Sequence, residues 1–295
     1  MQLSDIKLGQ AAEVPASTSQ GPVQVIAVTG GKGGTGKTNI AVNLAQALAN
    51  QGKSTLLLDA DLGMANVDVL LGLKTTHTLC DVLNGMCRLE DIMITVSDNL
   101  QVIPAASGSK QLADMGQQEC VGLVRAFSDL KYPLDFLLVD TATGISESVA
   151  SFCRAATEVL VVICNEPASI QDSVAQIRLF SSEYGVTRFR ILANRVESAY
   201  EAQALFKDVI SRFTDNHNPQ ISFAGYIPND ENLRKAVAQH QVVVDACPQS
   251  RSAMAFKNLA HRVAEWPQPV CAGGHVEFFV ERLIVNENME MEERS

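Results

Sequence analysis

An α/β fold with one doubly wound, mostly parallel sheet flanked by helices is what this sequence predicts, on three observations. Short apolar runs recur at 23–28, 55–58, 100–103, 135–139, 159–163, 189–193 and 221–227, most of them separated by stretches of helical spacing. Strands buried on both faces of a parallel sheet read as continuous apolar runs of this kind rather than as alternating ones. The first run leads straight into a glycine-rich turn, and two later runs end in aspartate, so polar chemistry gathers at the carboxyl ends of strands, where such sheets bind ligands.

Residues 1–22, rich in Ala, Ser, Gln, Pro and Thr, have little periodicity and are expected to be a flexible leader, with a short helix at most around Asp5–Ala12. Residues 23–270 are expected to form a single P-loop domain. Its first strand is followed by Gly30-Gly31-Lys32-Gly33-Gly34-Thr35-Gly36-Lys37-Thr38-Asn39, which fits G-x-x-x-x-G-K-[ST] from Gly31 to Thr38. Glycines let successive backbone N–H groups close on phosphate oxygens that side chains would otherwise block. Lys37 is expected to reach the β- and γ-phosphates of ATP or ADP, and Thr38 to hold Mg²⁺. Gly31, Lys32, Gly33, Gly34, Thr35, Gly36 and Asn39 complete the expected nucleotide-binding loop. The pattern alone is moderately specific. A strand before it and a helix after it, with Ile40, Ala41, Leu44, Ala45 and Leu48 on one face and Gly52 as C-cap, outweigh the reading as a structural turn.

Thr55-Leu56-Leu57-Leu58-Asp59-Ala60-Asp61 is a buried strand ending in two carboxylates, which either face the nucleotide or cap the helix that follows. Phe136-Leu137-Leu138-Val139-Asp140-Thr141 is a second such strand, and Asp140 at its end suits an Mg²⁺ site at the same sheet edge. Ala142-Thr143-Gly144 follows as a candidate switch loop. Two further strands end in Asn194, whose amide can pair with an adenine edge, and in Pro228, whose rigid turn can line the ring.

Lys32 is the residue that an ordinary P-loop does not need. With it the loop resembles the deviant Walker A (ParA/MinD) family, whose K-G-G-x-G-K-[ST] pattern reads Lys32-Gly33-Gly34-Thr35-Gly36-Lys37-Thr38. The resemblance implies an Mg²⁺-dependent ATPase that dimerises on ATP, with Lys32 crossing the interface to the partner's nucleotide, so that a second cation meets the transferring phosphoryl group only when two subunits meet. It implies that Asp61 positions and polarises the attacking water, that Asp59 supports the Mg²⁺ site, and that Asn194 and Pro228 contact the base. Thr35 and Thr143 depart from this pattern, because close relatives usually carry Val and Ala there. The iron–sulfur branch of the family is disfavoured, since Cys153 lies too far from Asp140.

Stretches such as Pro104-Ala105-Ala106-Ser107-Gly108, Leu123-Val124-Arg125-Ala126-Phe127-Ser128 and Gly274-His275-Val276-Glu277-Phe278-Phe279-Val280-Glu281-Arg282-Leu283 resemble the FlhG/FleN group, MinD-like ATPases that control flagellar number. That resemblance implies a signal-recognition-type flagellar GTPase, the flagellar master transcription activator and C-ring proteins as partners. The leader shares only Gln-Ala with the group's activating motif. A partition-type, cargo-positioning ATPase or a divergent paralogue is the alternative. A metabolic ligase on the same fold is a distant third.

Composition narrows these choices. A net charge of −10 argues against direct binding to nucleic acid, which needs a basic stripe. Seven scattered cysteines without a C-x-x-C pair read as reduced thiols of a cytoplasmic protein, and neither they nor the five histidines have zinc spacing. Residues 271–295 are expected to form a hinge at Gly273-Gly274, an amphipathic helix over 275–285 and an acidic end. Wound as a helix, Val276, Phe279, Val280, Leu283 and Ile284 share a face, with Phe278 and Val285 opposite. This helix either lies in a membrane interface, at the inner membrane or a cell pole, or packs on the body. A single Arg282 and four late glutamates leave apolar insertion as its main means of holding lipid.

Overall fold

The computed structural model describes residues 22–62, 66–73, 75, 77–105, 116–213, 219–268, 276–279 and 281. The leader, the Gly273-Gly274 hinge and the acidic end therefore lie outside the described residues. Eight strands form one sheet: β1 (Gln24–Thr29), β2 (Thr55–Ala60), β3 (Ile94–Ser97), β4 (Leu100–Ile103), β5 (Phe136–Thr141), β6 (Glu158–Cys164), β7 (Arg188–Val196) and β8 (Gln220–Pro228). Their spatial order is β3-β4-β2-β5-β1-β6-β7-β8, with every neighbouring pair parallel except β3 against β4. The chain reverses direction across the sheet on either side of β1, the place where doubly wound folds open a crevice for ligand.

The seven apolar runs are seven of these strands, and β3 is the addition. It is too short and too exposed to read as a buried run, and it is held by the Asp98-Asn99 turn that folds it back on β4.

Helix α1 (Lys37–Ala49) follows the glycine-rich turn. Its residues Ile40 to Ala49 are all buried, a wider cover than the single face its spacing suggests. The sheet takes one side, through Ile26, Val28, Leu57, Leu138 and Leu160. The last long helix, Arg251–Ala264, takes another, through Phe256, Leu259 and Val263. The helix ends at Asn50, and Gly52, at φ +77°, turns the chain two residues later. On the opposite face Val25, Leu56, Leu58, Leu137 and Val139 meet Leu123, Phe127 and Phe152. Each large apolar side chain fully buried this way contributes about 1.5–3 kcal/mol.

The start of the C-terminal segment packs on that second face. Val276–Phe279 is not helical: Val276 and Glu277 are irregular and the chain turns at Phe278-Phe279, with Phe279 at φ +56°. A turn, unlike a helix, sends adjacent side chains into the same pocket, so Phe278 is buried together with Phe279 rather than opposite it. Both rings meet Phe127 edge-on, at centroid distances of 5.1 and 6.0 Å, and Phe278 N–H donates to Ala155 O at 3.3 Å.

Candidate nucleotide site

The parallel order β2-β5-β1 brings the predicted residues to one edge. Asp59 and Asp140 are register partners at the ends of β2 and β5, and Val28 of β1 lies beside Asp140. The glycine-rich turn leaves β1 at that edge. Gly34 and Gly36 have φ of +76° and +93°, a region L side chains rarely adopt, and a Cβ on Gly33 or Gly34 would meet nothing within 4 Å. The loop is thus open on its outer side. Its other side is tightly packed, since a Cβ on Gly31 would fall 2.3–2.6 Å from the backbone of Asp172 and Ser173. Those two residues belong to the helix Pro167–Tyr184, which follows β6.

Lys37 is buried at the start of α1. Burial lowers its pKa, while Asp140 and Asp61 oppose the shift. Its Nζ donates to Thr143 Oγ1 at 2.5 Å. Thr38 hydrogen-bonds Asp140, whose pKa is raised by burial and by the neighbouring Asp59. Asp140 Oδ1 and Asn39 Oδ1 are buried without a hydrogen-bond partner. Orphaned acceptors beside an open loop of N–H donors are what a cation and its phosphate ligand would satisfy, so these residues fit Mg²⁺ and a nucleotide.

Of the two readings that the sequence leaves open for Asp59, its hydrogen bonds show the turn-securing one, while its place beside Asp140 is compatible with the other. The Asp59 carboxylate accepts from the backbone N–H groups of Asp61, Asn66 and Val67, each at 3.1 Å, which secures the turn into the helix Val67–Leu71. Burial raises its pKa to about 7 against those hydrogen bonds. Asp61, half-buried, stands next to it and acts electrostatically on Lys37.

Lys32 has a different setting. It lies on the rim of the loop and pairs with Glu166, the residue before Pro167, each holding the other in its charged form. Sequence reasoning missed Glu166, although it follows the carboxyl end of β6, where an acidic residue has reach over the loop. Thr35 is buried, and its hydroxyl contacts Lys32 O at 3.4 Å, within the loop itself. Of the two unusual threonines, Thr143 is the one that meets Lys37.

The base contacts divide. Asn194 is buried under the loop, with Nδ2 donating to Thr35 O at 2.7 Å and Oδ1 accepting from Arg195 N at 2.9 Å. Its amide is therefore engaged at both ends as a brace for the P-loop. Pro228 lines a 380 Å³ cavity with Tyr226, Arg251, Met254 and Arg262, and no P-loop residue lines it. Among the described residues no group of three or more His, Cys, Asp or Glu is arranged to hold a metal, and no helix is long and apolar enough to cross a membrane.

Residues 26–244 match the CobQ/CobB/MinD/ParA nucleotide binding domain family. The chain is 51% identical over 269 residues to the antiactivator FleN of Pseudomonas aeruginosa, covering 90% of this chain and 95% of that one. The chain belongs to the MinD/ParA family, in its FleN group. A flagellum site-determining protein, YlxH, of Helicobacter pylori is 28% identical, with 82% of each chain covered. Among solved structures, the septum site-determining protein MinD of Pyrococcus horikoshii, complexed with Mg-ADP, superposes with a TM-score of 0.69 at 27% identity, over 82% of this chain and 96% of that one. As a MinD/ParA protein the chain carries a nucleotide-binding ATPase domain, and the glycine-rich turn described above is its P-loop.

Proposed function

We propose that this MinD/ParA protein is an ATP-operated switch that controls flagellar number or placement, and flagellar gene expression, through protein partners. The observation that carries this reading is the 51% identity to an antiactivator along nearly the whole of both chains. The site supports the ATP-dependent part.

In this reading the P-loop N–H groups and Lys37 hold the phosphates, while Thr38 and Asp140, with Asp59 in support, hold Mg²⁺. The bound ion supplies charge neutralisation at the phosphoryl group. Asp61 orients the attacking water. Lys32 is exchanged from Glu166 of its own subunit to the nucleotide of a second one, completing the site only in a dimer. Hydrolysis is slow, because Thr143 occupies Lys37 where close relatives usually carry Ala. The apolar turn at Phe278-Phe279 docks in the monomer and is released to lipid or to a partner in the dimer.

The partners proposed are a second copy of this chain, the flagellar master transcription activator and the signal-recognition-type flagellar GTPase. The test is co-precipitation from cells with ATP-locked Asp61→Ala and with ADP-bound protein, together with counts of flagella in cells lacking the chain. Capture of the activator by the ATP-locked form and an altered count are expected. Capture of a cargo adaptor instead, with normal flagella, would assign the chain to the partition-type alternative.

A further inference from the structure

Gln176 lies in the helix Pro167–Tyr184 and is fully buried, yet it is polar and points at the switch loop. Its Nε2 donates to Gly144 O at 2.6 Å and to Thr29 Oγ1 at 3.1 Å, while Oε1 has no hydrogen-bond partner. A buried amide with one end unsatisfied costs stability, so its presence in the core calls for a functional reading.

The loop it grips has little else to hold it. Thr143 and Ile145 are exposed. Ala142 packs against the core, but Gly144 has φ +99° and a Cβ there would meet nothing within 4 Å, so packing does not fix the tip of the loop. Thr141 Oγ1 donates to Ala142 O at 3.2 Å at the start of the loop, and three polar contacts hold its tip, Thr143-Gly144. Gly144 N–H donates to Gly30 O at 3.4 Å, Thr143 Oγ1 accepts from Lys37, and Gly144 O accepts from Gln176. Only the last of these comes from outside the P-loop.

We propose that Gln176 is a positioning residue that sets the resting pose of residues 142–145 and so biases the site against nucleoside triphosphate relative to diphosphate. In that pose the Gly144 N–H and the Thr143 hydroxyl are both spent on the P-loop. A third phosphate must share Lys37 and draw the loop off Gly30, against the hold of Gln176. A diphosphate brings one phosphoryl group fewer to the tip of Lys37. The nucleotide part of this inference rests on the function proposed above; the loop-anchoring part does not.

The test uses the full chain and fluorescently labelled ADP and AMPPNP with Mg²⁺. Gln176→Met should tighten AMPPNP about fivefold and leave ADP within about twofold, a shift in ratio that a general packing defect does not produce. With Thr143→Ala added, the gain should be smaller than the product of the two single effects, since both act on one loop. Hydrogen exchange at 142–145 in the nucleotide-free protein should quicken in Gln176→Met, while Pro167–Tyr184 keeps its protection. Gln176→Asn, which keeps an amide but is one methylene too short, should do the same and stands in if Met disturbs the core. Equal shifts for both nucleotides, or unchanged exchange at 142–145, would overturn the proposal. If wild type bound neither nucleotide, the proposed function would fail, and the exchange measurement alone would still decide whether Gln176 anchors the loop.

Discussion

The floor of the P-loop and its outer rim each present a lysine, and they are held in opposite ways. Lys37 sits in the floor, buried, its pKa pulled down by desolvation and its ammonium already between Asp140, Asp61 and Thr143. Lys32 sits on the rim, its side chain 38% exposed, tied to one carboxylate, that of Glu166, which is 53% exposed and precedes the helix Pro167–Tyr184. A buried cation cannot leave without stranding its partners, so the floor is preset for phosphate. An exposed ion pair contributes little and exchanges readily, so the rim is set up for a contact that is made and unmade. In the function proposed above, binding belongs to one region and switching to the other.

Losing Lys37 should therefore be the largest effect on nucleotide binding. Lys37→Ala should weaken ATP and ADP by about 100-fold, ~2.7 kcal/mol, in isothermal titration with Mg²⁺. Lys32→Ala should leave the monomer's affinity within about threefold and abolish only nucleotide-dependent association. Equal losses in the two variants would erase the distinction between floor and rim.

The floor should also show in the pH dependence of the nucleotide-free protein. Burial raises Asp59 to about 7 and raises Asp140 as well. Between the unfolded carboxylate range, near pH 4, and those folded values, the native state holds protons that the unfolded chain has released. Stability therefore falls as pH rises through that window and levels off above it. Asp140→Asn should raise the nucleotide-free stability at pH 8 by at least ~1 kcal/mol and flatten the slope between pH 5 and 8. Mg²⁺-dependent nucleotide binding should be lost. A denaturation series with an unchanged slope would mean that Asp140 is not the source.

The docked tail tests the switching side at a distance. Phe279→Glu places a charge among Phe127, Phe278 and the core of the second face, and should lower monomer stability by about 2–4 kcal/mol. It should also abolish liposome sedimentation of the ATP-locked dimer while leaving dimerisation intact. If neither changes, the tail neither docks nor reaches lipid.

Glu166→Gln should have the smallest effect. Removing a surface partner frees Lys32 and should lower the ATP needed for half-maximal dimerisation by about two- to threefold, in keeping with an exposed pair. A tenfold change would mean that Glu166 does more than hold Lys32.

How much of this was legible in the sequence follows from the range of each signal. The sheet and the P-loop are written locally: seven apolar runs, glycines where φ is positive, and carboxylates at strand ends. β3 escaped because it is a short edge strand half-exposed to solvent, with no buried period to read. Asp59 left two readings open because a carboxylate at a strand end can secure the turn that follows and also adjoin the site, and only the turn contacts are local enough to see. The roles of Glu166, Gln176 and Asn194 were hidden because each is a contact over more than 30 residues of sequence, made only when parallel strands set their ends side by side. Periodicity placed Phe278 opposite Phe279, and a single turn at φ +56° put both rings in one pocket.

Whether Lys32 makes ATP a dimerisation signal is the central question, and static light scattering tests it most directly. Asp61→Ala with ATP and Mg²⁺ should move from the 31.8 kDa of one chain to twice that mass, remain at one chain with ADP, and fail to dimerise with either nucleotide once Lys32→Ala is added. A single unchanging mass in all of these states, or an ATP dimer that survives Lys32→Ala, would contradict it.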